Sequence, residues 1–83
     1  MIPRIKDIQP LNDYILFVRF DDGREVYYDV KSDISTIPSF ANLLTEVNLF
    51  KNFQLDPSRT CVTWSEEIDL PSDSIYEYGQ VAN

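Results

Sequence analysis

The chain has 83 residues, enough for one small domain with a single core, which buries roughly 60–65% of its unfolded surface. A hydrophobic fraction of 43% is ordinary for a folded protein, and five Phe, five Tyr and one Trp put much of that core into aromatics. Seven basic residues against fourteen acidic ones give a net charge of −7, which repels nucleic-acid phosphates and argues against direct nucleic-acid binding. The same charge favours a basic protein partner, with simple solubility as the plainer explanation.

Arg4–Gln9 alternates weakly, with Ile5 and Asp7 on one face and Arg4, Lys6 and Ile8 on the other. It reads as a strand ended by Pro10, which has no ladder donor. Asn12-Asp13 reads as the turn into Tyr14.

Tyr14–Val30 is the organising stretch. Two runs rich in Ile, Phe, Val and Tyr flank Asp21-Asp22-Gly23, the composition of a β-hairpin. A three-residue loop closed by Gly23 sets Phe20 opposite Arg24, Val18 opposite Val26, Leu16 opposite Tyr28 and Tyr14 opposite Val30. On the other face it sets Arg19 against Glu25, Phe17 against Tyr27 and Ile15 against Asp29. A one-residue slip would put Arg19 against Val26 and Phe20 against Glu25, so the three-residue loop is favoured. Leu16, Val18, Phe20, Val26 and Tyr28 then form the core face.

Ile15, Phe17 and Tyr27 on the opposite face break the clean alternation of a sheet with one wet side. Something is expected to cover them: a helix of the same chain, a second copy, or another protein. A tolerated exposed aromatic pair is the alternative.

Lys31–Thr36 reads as a polar loop. Ile37, Phe40, Leu44 and Val47 recur at helical spacing, and Leu49, Phe50 and Phe53 continue the stripe. A helical region over Pro38–Asn52, either one helix broken near Thr45–Asn48 or two short ones, is predicted to pack as core. Phe53–Asp56 and Thr60–Trp64 read as a second strand pair around the turn Asp56-Pro57-Ser58-Arg59. Ser65-Glu66-Glu67 reads as a turn, Ile68-Asp69-Leu70 as a short extended piece, and Pro71–Tyr78 as a helical segment ended by Gly79 with Ile75 inward. A frayed tail is expected over Gln80–Asn83. Trp64 reads as a core anchor, with an exposed contact residue as the alternative. Asp69 reads as a cap for the segment after Pro71, with an acidic partner-binding edge alongside Glu66 and Glu67 as the alternative.

The chemistry-bearing residues are few. With no histidine, the commonest general base and transition-metal ligand are missing. Cys61, the sole cysteine, has no activating histidine and reads as a buried, inert thiol, compatible with a reducing compartment. The two glycines leave no Gly-rich phosphate loop. Asp21-Asp22 and Glu66, Glu67 and Asp69 lack the spacing of a calcium loop, so no metal and no cofactor are expected. The N-terminus lacks an apolar signal core, and the longest clearly apolar run, Tyr14–Val18, is far short of the ~20 residues that span a bilayer. A soluble, cytoplasmic protein is expected.

The order of motifs resembles the small bacterial domain-of-unknown-function family 2442. It rests on Phe20-Asp21-Asp22-Gly23 with Tyr28-Asp29, then Phe40 with Leu43 and Phe50, then Trp64, Asp69-Leu70 and Ile75-Tyr76, spanning about Pro3 to Tyr78. The chain departs after the tryptophan, with Ser65-Glu66-Glu67-Ile68 where family members often have a Pro and a Gly. Members occur alone, or fused to a helix-turn-helix domain, and are often encoded beside another small domain in a toxin–antitoxin-like arrangement. The resemblance implies an accessory or antitoxin-like binding role and carries over no catalytic residue. With nothing after Asn83, no fused DNA-binding segment is expected.

These readings converge on an α+β fold, an antiparallel sheet built on the central hairpin with a helical segment across one face. The expected function is a non-enzymatic, acidic protein-interaction module, in its sharpest form the antitoxin-like partner of a basic protein. Ile15, Phe17, Arg19, Glu25, Tyr27, Glu66 and Glu67 are its candidate contact residues. The alternatives are a self-assembling module with Phe17 and Tyr27 at a two-fold contact, and a small-ligand or metal-binding enzyme.

Overall fold

The computed structural model describes residues 2–46 and 48–82. Its order is β1 (Ile5–Leu11), β2 (Ile15–Phe20), β3 (Glu25–Asp29), α1 (Lys31–Thr36), a 3-10 turn (Pro38–Ala41) and α2 (Asn42–Thr45). Then come β4 (Gln54–Leu55), β5 (Cys61–Ser65), β6 (Ile68–Pro71), α3 (Ser72–Tyr78) and β7 (Gln80–Val81). Among the described residues these make a four-stranded antiparallel sheet, β1-β2-β3-β7, and a three-stranded one, β4-β5-β6. This is the α+β architecture expected.

The central hairpin has the expected register, with Arg19 opposite Glu25, Phe17 opposite Tyr27 and Ile15 opposite Asp29. Gly23 closes the loop at φ +93°, a region that side chains with a Cβ rarely adopt. Its N–H donates to Phe20 O, and the Phe20 N–H donates to Arg24 O. Leu16, Val18, Phe20 and Val26 are completely or almost completely buried beneath. Full burial of each such side chain is worth about 1.5–3 kcal/mol, so the register is held by several rows at once.

β1 departs from the simple alternation. Ile5 pairs with Phe20 but Asp7 with Arg19, so Lys6 is an extra residue in a β-bulge. The bulge turns both Ile5 and Ile8, three residues apart, toward the core. It corrects the faces expected for Arg4–Gln9. The strand also runs through Pro10 to Leu11, because β1 is the sheet's edge and its outer row needs no donor there.

Lys31–Thr36 is a helix rather than a loop. Asp29 Oδ1 accepts the Lys31 N–H, and the Ser32, Ser35 and Thr36 hydroxyls donate to carbonyls three or four residues back, so the polar side chains tie down the turns. The region beginning at Pro38 is a 3-10 turn and a single α-turn instead of a longer helix. The tighter 3-10 winding changes the phase of the stripe: Phe40 and Leu43 are buried, whereas Leu44 is 54% exposed. Val47, the next residue of the expected stripe, lies outside the described residues.

The second strand pair and its turn form as expected, and Ile68–Pro71 adds to them as β6. Trp64 is a core anchor. Its indole N–H donates to Phe50 O at 2.8 Å, and its ring stacks on Phe50 and meets Phe40 edge-on. Asp69 lies in β6 opposite Thr63, and α3 has no side-chain cap, so the capping expectation is corrected.

α3 returns the chain to the first sheet with Ile75 fully buried. The frayed tail is corrected for Gln80–Ala82: Gln80 pairs with Tyr27, Val81 with Val26, and the Ala82 N–H donates to Glu25 O. Asn83 lies outside the described residues. One cluster of buried side chains draws on both sheets, the Phe40–Phe50 region and α3. Among the described residues no helix is long and apolar enough to cross a membrane.

Gly79 ends α3 at φ −70°, not in the left-handed region expected of a helix-ending glycine. Space is its reason. A Cβ there would sit 2.6 Å from Ile75 O and 3.0 Å from the Val26 side chain. Gly79→Ala should therefore cost about 1–3 kcal/mol through forced backbone shifts. Gly23→Ala, whose Cβ meets nothing within 4 Å, should cost about 1 kcal/mol through its positive φ alone. Urea unfolding of the two variants should rank them in that order.

Candidate protein-interaction surface

The strand pairings define the outer face of the four-stranded sheet as a grid. One row reads Asp7, Arg19, Glu25; the next Gln9, Phe17, Tyr27, Gln80; the third Leu11, Ile15, Asp29. The centre is aromatic, with the Phe17 and Tyr27 rings 5.1 Å apart and tilted by 45°. Tyr27 is 45% exposed and Leu11 37%, and Ile15 and Phe17 are half-buried. None of these four belongs to the core cluster or packs against it. Among the described residues the face has no cover from its own chain.

Charge borders this centre. Arg19 Nε donates to Glu25 Oε2 at 2.7 Å and lies across from Asp7 on its other side. So solvated an ion pair contributes about 0–1 kcal/mol, and it leaves the face with three carboxylates to one guanidinium. Ile15, Phe17, Arg19, Glu25 and Tyr27 are thus brought together as the sequence predicts. Glu66 and Glu67 are not: they are the exposed turn between β5 and β6, in the other sheet. Leu11, Asp7 and Gln80 belong to the face but escape a local reading, because the bulge at Lys6 and the β7 pairing put them there.

At the hairpin tip the carboxylates are engaged in structure. A groove of about 870 Å³ opens at the hairpin tip between Phe20, Tyr76 and the Ser58–Thr60 turn. There Asp21 makes a two-pronged ion pair with Arg59, both N···O distances 2.9 Å, and the same guanidinium donates to Ile5 O. Asp22 accepts from the Tyr76 hydroxyl at 2.6 Å and from the Arg24 N–H, while the Arg24 guanidinium lies 4.5 Å from the centre of the Tyr76 ring. Nothing in the local pattern foretells the Arg59–Asp21 pair, whose partners are 38 residues apart. A smaller cleft of about 390 Å³ lies between the β1–β2 turn and α2 with the turn after it, floored by Tyr14, Leu43 and Phe50.

The family profile described as "Protein of unknown function (DUF2442)" matches residues 5–80. The chain belongs to that family. The DUF2442 span runs from the first residue of β1 into β7, so it takes in both sheets and the whole outer grid. No curated protein and no solved structure matches the chain.

Within this DUF2442 fold no described group of three or more Cys, Asp or Glu is arranged to hold a metal ion. Burial, and then the nearby Asp69 carboxylate, pushes the Cys61 thiol above its ordinary value, so it is protonated at neutral pH and a poor nucleophile. The Tyr76 hydroxyl, then the Arg24 N–H, holds Asp22 below the usual carboxylate range. The Ser58 hydroxyl and the N–H groups of Thr60 and Cys61 do the same for Asp56. Burial, then the bond to Asp33 at 2.6 Å, pushes the Tyr28 phenol up.

These shifts set a pH dependence at both ends. A depressed carboxylate stabilises the fold above its unfolded value, near 4, and that stability is lost as pH falls through the folded value. A raised phenol stabilises the fold below about 10, and that stability is lost as pH climbs beyond. The urea midpoint should therefore fall below about pH 4, less steeply in Asp22→Asn and Asp56→Asn. Tyr28→Phe should lose about 1 kcal/mol at neutral pH and show a flatter alkaline decline.

Proposed function

We propose that this chain is a non-enzymatic protein-interaction module of the cytoplasm whose outer sheet face docks a basic protein. The observation that carries the reading is the Phe17–Tyr27 pair with Ile15 and Leu11, an apolar centre outside the core cluster and bordered by Asp7, Glu25 and Asp29. Monomeric proteins seldom leave contiguous apolar patches without use. The acidic border and a net charge of −7 supply long-range attraction for a basic surface. The antitoxin-like role implied by the resemblance of the sequence is the sharpest form of this proposal, the chain being the acidic, neutralising member of a pair.

Self-association through the same face is the competing arrangement. A two-fold contact would bring the carboxylates of each copy toward those of the other, at a cost that a basic partner turns into a gain.

The test is the complex formed in the chain's own host. A partner co-purified with the untagged chain should be basic, should dissociate progressively between 0.05 and 0.5 M salt, on the order of the range over which charge is screened, and should bind Phe17→Asp or Tyr27→Asp at least about tenfold more weakly. Unfolding midpoints near the parent's would show that the variants still fold. A partner bound equally by both variants, or a chain that sediments as a dimer until Phe17 is replaced, would overturn the proposal.

A further inference from the structure

We infer that the partner element fitting this surface is a single amphipathic helix with basic flanks, lying across the outer face with one apolar anchor seated in the cleft beside Leu11. This inference rests on the proposed role of the outer face and specifies its occupant. Its first ground is size. Three strands about 4.8 Å apart carrying three rows of same-face residues, with β7 adding Gln80 to the middle row, span at most roughly 19 × 20 Å, or roughly 400 Å². Standard protein–protein interfaces bury about 800 Å² per partner. The face is thus too small for another sheet or a second copy to dock on it alone. A helix about 10 Å wide crosses it in about 13 residues.

The second ground is continuity. Leu11 pairs with Ile15 on the outer face and also lines the 390 Å³ cleft between the β1–β2 turn and α2. Leu44, more than half exposed where the sequence predicts burial, lines the same cleft. The apolar strip therefore runs from Tyr27 through Phe17, Ile15 and Leu11 to Leu44, rather than ending at the sheet's corner. A helix crossing the face meets this cleft beyond Leu11, and one Leu- or Phe-sized side chain fills part of it. That gives a small face the buried anchor on which binding free energy concentrates.

The third ground is charge. The grid carries Asp7, Glu25 and Asp29 against Arg19 and the exposed Lys6 of the bulge, and the cleft adds Asp13 and Glu46 against Lys51. Carboxylates outnumber cations along the whole strip, so the helix that fits it has Lys or Arg beside its apolar stripe.

The experiment titrates the isotope-labelled full chain with an 18-residue peptide of alternating Leu and Lys faces, and with the same peptide carrying Glu for Lys. The Lys peptide is expected to shift the amides of Leu11, Ile15, Phe17 and Tyr27 together with those of Leu43 and Leu44. Phe17→Asp and Leu44→Asp should each weaken it about tenfold or more, and the Glu peptide should bind at least about tenfold more weakly. Loss of binding in Phe17→Asp with none in Leu44→Asp would overturn the cleft anchor while leaving the face as a contact surface. Indifference to both substitutions would overturn both readings. Equal binding of the Glu peptide would overturn the basic helix. Leu44 is exposed, so its replacement leaves the fold intact, and Tyr27→Asp serves as a second face variant if Phe17→Asp unfolds.

Discussion

The left-handed turn at Gly23 is the constraint on which the rest of the molecule depends. Because side chains alternate strictly along a strand, the loop length decides which residues point inward on both arms of the hairpin. With three residues in the loop, Leu16, Val18, Phe20, Val26 and Tyr28 go to the core together. The same turn necessarily sends Ile15, Phe17 and Tyr27 outward. The apolar outer face is therefore not an accident of packing but the other side of the register that builds the core. No adjustment of side chains can hide those rings without undoing the inner rows.

A chain of this size has little core to spare, and its two sheets are joined by polar ties as well as by apolar contact. Arg59, held at φ +61°, reaches the hairpin tip through Asp21 and the Ile5 carbonyl. Ile5 in turn donates its N–H to the Arg59 carbonyl. Ser72, fully buried, donates its hydroxyl to Pro3 O and its N–H to Thr60 O, so α3 is pinned to the N-terminal segment and to the β4–β5 turn at once. Tyr76 closes the set by packing on Phe20 and bonding Asp22. The tip's carboxylates are consumed in this joint, which is why the 870 Å³ groove beside it presents few uncommitted acidic groups.

What was legible in the sequence was whatever local chemistry determines. Asp-Asp-Gly between β-branched and aromatic runs yields the hairpin and its register. The Asp56–Arg59 turn, the inward Val62 and Trp64, and the helix around Ile75 follow in the same way. What could not be read depends on partners distant along the chain. The bulge at Lys6 exists because Ile5 and Ile8 must both reach the core formed by β2. Pro10 is tolerated because β1 has no neighbour outside it. The 3-10 winding after Pro38 exchanges Leu44 for Leu43 at the core, a phase error that spacing rules cannot detect. Of the candidate contact residues, the five on the hairpin were found because they are a property of one register. Glu66 and Glu67 were joined to them by charge alone, and the fold assigns them to the other sheet.

The edges of the four-stranded sheet narrow the ways in which it can associate. An exposed strand edge is a template for another strand, and proteins blunt it with proline, bulges or short covering strands. Both edges here are treated so. β1 carries Pro10 and the Lys6 bulge, and β3 is covered by the short β7, with Ala82 bonded to Glu25 beyond it. Strand addition is thus disfavoured on either side, whereas the face between the two edges keeps its apolar centre. A sheet whose edges are protected and whose face keeps an apolar centre offers side-chain contact across that face rather than backbone pairing. That geometry gives no backbone ladder to a second strand, so the four-stranded sheet resists pairing by extension at either edge.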